Sequence, residues 1–116
     1  MLPKPYRLKK RSAFKATYKV KNSSHSGGVT LFAGISKKDD CPTKVGFVVS
    51  KKVHKRAVKR NRLKRLMRES YRLLLKDGTV GNSQKFMSLV FVGSDRALGK
   101  NFSEIHHSIK KMLEKI

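Results

Sequence analysis

"KRAVKRNRLKRLMRESYRLLLK", Lys55 to Lys76, is the stretch on which the fold turns. Half of the positions from Lys55 to Ser70 are Lys or Arg, and Glu69 is the single acid among them. At about 100° per residue, Leu63, Leu66, Met67, Ser70, Tyr71 and Leu74 fall on one arc. That is a helix with one buried stripe. Asn61, Arg65, Arg68 and Arg72 fall on the opposite face, with Arg62 and Lys64 flanking them. The helix is expected to end near Lys76, before Asp77-Gly78. With so few acids, ion pairing along the helix is not what the charge is for. The basic run begins earlier, at Lys51, Lys52, Lys55 and Arg56, so a loop and a helix N-terminus share it. Free N–H groups and a partial positive charge suit such a terminus to phosphate.

The rest of the composition agrees. The chain has 116 residues, enough for a single domain over residues 1–116, and a hydrophobic fraction of 38% that can fill a modest core. Lys and Arg number 29 against 7 Asp and Glu, a net charge of +22. Such a domain repels itself, and a polyanion relieves the repulsion; a clustered basic footprint favours nucleic acid over an acidic membrane or protein. No acid precedes Asp39. The lone Cys41 excludes an internal disulfide and fits a reducing cytosol. No run approaches the ~20 apolar residues of a membrane span, and the N-terminus lacks the apolar core of a secretory signal.

Outward from the basic helix, "RSAFKATYKVKN" (11–22) reads as a short helix capped by Ser12 and ended by Asn22 with Ser23 and Ser24. "SSHSGG" (23–28) reads as a turn or loop, with a possible extra short strand near Ser23. Val29–Ser36 and Val45–Ser50 read as strands, separated by the polar turn "KKDDCPTK" (37–44). Lys85–Gly93 is a third long strand, apolar on both faces and therefore central. Asn101 and Glu104 have capping-box spacing, and Phe102, Ile105, Ile109, Met112, Leu113 and Ile116 carry a last helix. The order is α-β-β-(β)-α-β-α, an α+β chain expected to fold as a two-layer α/β sandwich.

The compound motif is specific. Ser50-Lys51-Lys52 follows a strand, and Arg60-Asn61-Arg62, Lys64-Arg65 and Arg68-Glu69 follow in one helix. This pattern resembles the signature of the bacterial ribonuclease P protein subunit. "RLKKRSAFKATYK" (7–19) is similar to that family's opening helix, and the C-terminal strand and helix come in the family's order. The connection His54-Lys55-Arg56 departs from it, being basic where many members carry Gly-Asn or Gly-Lys.

The resemblance implies a non-catalytic protein component of an endoribonuclease whose RNA removes the 5′ leader from precursor tRNA, with Mg²⁺ required by the RNA-containing holoenzyme. It implies two partners, the catalytic RNA and precursor tRNA, with no membrane and no obligate protein partner, in the cytoplasm. The catalytic RNA would be met by Lys51, Lys52, Lys55, Arg56, Lys59, Arg60, Asn61, Arg62, Lys64, Arg65, Arg68 and Arg72. The leader would be met in a cleft by Phe14, Tyr18 and Phe32, with Lys15 and Ser50. It also implies a mixed sheet with a left-handed βαβ crossover, against the general right-handed rule.

The residues support a leader cleft independently. Phe14 and Tyr18 lie four apart on one side of the first helix, beside Lys15 and Lys19, a suitable platform for stacking single-stranded bases. Ala13, Ala16, Thr17 and Val20 form a separate small apolar face for that helix. The alternative is that all three aromatics belong to the core. Asn61 could cap the helix, fix a turn or read a polar RNA edge.

Other functions fit less well. A nuclease site on the protein needs convergent acids, bases or metal ligands. Asp39, Asp40 and Cys41 have no partner His in sequence reach. Adjacent His106 and His107 diverge on a helix, His106 at the edge of the core stripe and His107 solvated. His25 and His54 are lone loop residues. A ribosomal-type structural RNA-binding protein is the second reading, because composition fits it equally well. A DNA-architectural protein would carry an intercalating wedge, and a membrane-surface role would spend the apolar stripe the core requires.

Overall fold

The computed structural model describes residues 4–37, 42–79 and 81–116. The chain runs α1 (Arg11–Lys19), β1 (Asn22–Ser26), β2 (Val29–Ala33), β3 (Lys44–Val48), α2 (Ala57–Asp77), β4 (Ser88–Gly93) and α3 (Phe102–Lys115). The sheet order is β1-β2-β4-β3. β4 pairs antiparallel with β2 and parallel with β3, so it is central, as its apolar faces require. α2 crosses over between the parallel neighbours β3 and β4.

Alternation sorts the sheet into two faces. Val29, Leu31, Ala33, Val45, Leu89 and Phe91 join Leu63, Met67, Tyr71, Leu74, Ile105, Ile109, Met112 and Leu113 in one buried core beneath α2 and α3. That is the sandwich. Phe47 stacks on Phe91 with centroids 5.5 Å apart, and Tyr71 packs across both rings. On the other face Gly46, Phe32 and Ser88 lie against α1. Here Thr17 Oγ1 and Ser88 Oγ share a hydrogen bond of 2.6 Å.

α2 is the helix its periodicity foretells. Leu63, Met67, Ser70, Tyr71 and Leu74 are buried, and Leu66 lies half-buried at the stripe's margin. Gly78 ends it at φ 74°, and the amides of Gly78 and Thr79 return to the carbonyls of Leu75 and Leu74. α3 opens on the expected box, the Glu104 amide donating to Asn101 Oδ1 at 2.9 Å and the Asn101 amide to Glu104 Oε1 at 3.3 Å. His106 sits where α3 meets α2, its Nδ1 2.8 Å from Ser70 Oγ, while His107 is exposed.

α1 departs from expectation. Its N-cap is Lys10, not Ser12, and it stops at Lys19, because Lys21 takes φ 61° and reverses the chain. Thr17 is its one buried residue; Ala16 and Val20 are exposed, so the small apolar face is not a core face. The extra strand near Ser23 exists as β1. Gly27 and Gly28, at φ 57° and 87°, form the two-residue turn joining it to β2. β1 is all Asn, Ser and His, a composition with no strand preference of its own, and backbone pairing to β2 makes it. Half of the polar turn expected over 37–44, residues 38–41 with Asp39, Asp40 and Cys41, lies outside the described residues.

Candidate nucleic-acid interface

The loop between β3 and α2 is shaped by its own polar atoms. The Lys52 amide donates to Ser50 Oγ at 3.2 Å, and the Val53 amide to the Ser50 carbonyl at 3.0 Å. The Arg56 amide donates to Nδ1 of His54 at 3.0 Å, so His54 orders the turn into the helix. These bonds leave Lys51, Lys52, Lys55 and Arg56 exposed.

α2 then begins at Ala57 after an N-cap Arg56 that offers no side-chain acceptor, with no acid in the first turn. α1 begins the same way, after Lys10. Cations gathered at the positive pole of a helix oppose its dipole. α3 is capped by its own Asn and Glu. The two helices that start in basic surroundings thus have no side-chain cap, and the third does.

Along α2, Lys59, Asn61, Arg62 and Arg65 are exposed, while Arg60, Lys64, Arg68 and Arg72 are half-buried. Asn61 lies inside the helix and does not cap it. Arg72 holds Glu69 through Nε at 3.2 Å and through Nη2. That bond holds the Glu69 carboxyl below its ordinary range and raises the guanidinium above its own. It is the one ion pair among the described residues. Arg62, though exposed, donates to the carbonyls of Leu98 and Lys100.

The aromatic residues come together on the face away from the core. Tyr18 meets Phe32 edge-to-face, with centroids 5.0 Å apart. Phe14 lies over Gly46, where a side chain would collide with the ring's Cε1 and Cζ. All three rings are half-buried, neither core nor fully exposed, and partial burial pushes the Tyr18 hydroxyl upward. Lys15 and Lys19 are exposed beside them. In the sheet register, Phe32, Val90 and Gly46 form one row, and Thr30, Val92 and Val48 the next, half-buried beyond the rings.

Phe14 also lines a groove of about 240 Å³ at the outer edge of β3, with Arg7, Leu8, Lys9, Val45, Gly46, Phe47 and Arg68. The Leu8 amide donates to the Val45 carbonyl at 3.0 Å, which draws the N-terminal segment along β3. Sequence reasoning missed Arg7 and Lys9 as groove residues. Their signal, basic residues just ahead of the aromatic helix, was present without a partner strand to place it. Arg68 carries the basic ridge into this groove, so ridge and aromatic platform adjoin. No group of His, Cys, Asp and Glu among the described residues could hold a metal. No helix among them is long and apolar enough to cross a membrane.

A small α+β domain with a basic loop and helix, helix starts without a side-chain cap in basic surroundings and half-exposed aromatics alongside is, by class, an RNA-binding protein. The comparisons with known proteins narrow the class. The family model described as Ribonuclease P matches residues 2–116. A ribonuclease P protein component of Clostridium kluyveri is 37% identical over 110 residues, covering 95% of this chain and 93% of that one. One from a Synechococcus strain is 35% identical, covering 99% of this chain and 84% of its own. The Staphylococcus aureus RNase P protein superposes with a TM-score of 0.78 at 25% identity, covering 97% of this chain and 95% of that one. The Thermotoga maritima RNase P protein shares the fold, with a TM-score of 0.77. The chain belongs to the ribonuclease P protein family and is thereby a component of a tRNA-processing endoribonuclease.

Proposed function

We propose that this chain binds the catalytic RNA of ribonuclease P through Lys51–Arg56 and the outer face of α2, and the 5′ leader of precursor tRNA through Phe14, Tyr18 and Phe32. The observation that carries the reading is Arg68, which lines one groove with Phe14 and so joins a phosphate-binding ridge to a base-stacking platform. Lys51, Lys52, Lys55, Arg56, Lys59, Arg60, Lys64 and Arg65 supply positive charge along the ridge, and Asn61 offers a neutral amide among them. Ser50 sets the turn that presents Lys51 and Lys52. Lys15 accompanies the leader backbone beside the aromatics.

In this reading the RNA cuts the phosphodiester bond, and the protein positions the substrate. Glu69 is the only acid of α2 before Asp77, and Arg72 already holds it. Mg²⁺ prefers several oxygen ligands, carboxylates among them, and this face has no pair to offer. In this reading the magnesium that supports hydrolysis is held by the RNA. The protein works in the bacterial cytoplasm without an obligate protein partner.

The test is cleavage of precursor tRNA by a bacterial ribonuclease P RNA at low magnesium, with and without this chain, beside a protein-only control. Stimulation of the RNA with no cleavage by protein alone is the expected result. Tight RNA binding without stimulation would favour a purely structural RNA-binding role, and cleavage by the protein alone would overturn the assignment of catalysis to the RNA.

A further inference from the structure

Arg62 belongs to the Arg60-Asn61-Arg62 motif, yet its guanidinium is engaged within the protein. Nη1 donates to the Leu98 carbonyl at 3.2 Å and Nη2 to the Lys100 carbonyl at 3.3 Å. Lys100 in turn donates from Nζ to the Gly27 carbonyl at 2.8 Å. The next carbonyl, Gly28, accepts from the Ser94 amide at 2.9 Å and from Ser94 Oγ at 2.7 Å. A polar route thus runs from the basic helix, through the connection between β4 and α3, to the β1–β2 turn. β2 carries Phe32 to the aromatic platform on the far side of the sheet.

The fit at the turn is close. A side chain at Gly27 would collide with Ser108 Oγ and Lys100 Nζ, and one at Gly28 with the Ala97 amide and Arg96. Two carbonyls in fixed relation suit a planar fork of donors, which a lysine's point charge cannot reproduce.

We propose that Arg62 is a positioning residue: with Lys100 it ties the β1–β2 hairpin to α2, and so sets Phe32 relative to the RNA-bound ridge without itself contacting phosphate. The inference rests on the two-surface reading above. It divides the motif, with Arg60 and Asn61 left to the RNA and Arg62 to the fold. It also explains why an exposed arginine beside so many uncommitted cations uses its donors on backbone.

The test compares Arg62→Ala, Arg62→Lys, Lys100→Met, the Arg62→Lys/Lys100→Met combination, Arg65→Ala and Phe14→Ala/Tyr18→Ala, each in holoenzyme reconstituted with a ribonuclease P RNA. Affinity for the RNA is measured against salt, together with the ratio of precursor to mature tRNA affinity. Amide exchange over residues 22–33 is followed in the free protein. Arg65→Ala is expected to lower the salt slope by about one. Arg62→Ala is expected to leave the slope unchanged, and Arg62→Lys, which keeps the charge but not the fork, to accelerate exchange in the hairpin and cut the precursor preference about five-fold or more. The combined variant should lose little beyond either single one, as members of one network do.

Arg62→Ala with its slope lowered as in Arg65→Ala would make Arg62 a phosphate ligand and overturn the proposal. So would a lower melting temperature in Arg62→Lys and Lys100→Met with hairpin exchange and precursor preference unmoved, since that is mere structural support. If Phe14→Ala/Tyr18→Ala keeps the full precursor preference, the leader reading has failed. Hairpin exchange then decides alone: faster exchange in Arg62→Lys upholds the tie, and unchanged exchange refutes it. Should Arg62→Lys not fold, Lys100→Met, outside the basic helix, gives the same three readouts.

Discussion

Gly46→Ala separates the aromatic platform from everything else in the protein. The backbone at Gly46 is one that any residue adopts, so the substitution adds no conformational strain. An added methyl would come closer than 3.0 Å to Cε1 and Cζ of Phe14, with Leu8 at an ordinary 3.5 Å. Carbon atoms settle at about 3.5–4.0 Å, so the ring must withdraw by roughly an ångström or more. Phe14 is half-buried at a groove and can swing, so the cost to folding stays near the low end of overpacking, about 1 kcal/mol. The cost to leader binding is larger. Losing one base–aromatic stack removes about 1–3 kcal/mol, or roughly 5- to 150-fold in affinity. The assay is equilibrium binding of leader-bearing precursor and of mature tRNA to reconstituted holoenzyme, with the melting temperature of the free protein alongside. Precursor affinity should fall by that factor while mature tRNA binds as before. In a Phe14→Ala background the same substitution should cost almost nothing, because the ring it displaces is gone. Equal losses with and without Phe14 would refute the reasoning, as would full precursor preference in Gly46→Ala when Phe14→Ala has lost it.

Other expectations follow from single contacts. Glu69→Gln releases Arg72 from its carboxylate and should steepen the dependence of log K on log salt between about 50 and 200 mM, as one more counterion is released; a slope identical to the parent would mean Arg72 faces no phosphate. Burial pushes the Tyr71 hydroxyl from 10.0 up to about 12, against the lowering effect of its bond from Gln84. The folded state therefore keeps that proton longer than the unfolded state. Its contribution, on the order of 3 kcal/mol, is complete below about pH 10 and lost as pH rises toward 12. Urea unfolding across that range should show Tyr71→Phe losing stability less steeply than the parent. Leu63→Ala removes the side chain that fills the space over Gly93 and should cost about 2–5 kcal/mol in chemical unfolding, whereas Val58→Ala, at a residue 77% exposed, should change stability by less than about 0.5 kcal/mol.

Much of this was legible in the sequence because the signals were local and periodic. The stripe of α2, the central character of β4 and the Asn101–Glu104 box each depend on residues within a few turns or one strand of each other. The end of α1 was misplaced because Lys21, an ordinary residue, adopts a left-handed conformation that composition does not announce. β1 was only suspected because Ser and Asn carry no strand preference, although Gly27-Gly28 is a two-residue hairpin signal. Ser12 failed as a cap because the helix starts ahead of it.

The sequence by itself determined the chain's electrostatic character, its helical ridge and the order of its elements, since charge and hydrophobic period are properties of neighbours along the chain. The tertiary structure decided what those cations do. Arg62, Arg68 and Arg72 sit within eleven positions on one helix and look alike on paper. Folding gives the first two backbone carbonyls, the second a groove beside Phe14, and the third a carboxylate. A guanidinium is assigned by what the fold brings beside it: the carbonyls of Leu98 and Lys100, far away in sequence, accept from Arg62, and the β3 edge with Phe14 shares its groove with Arg68.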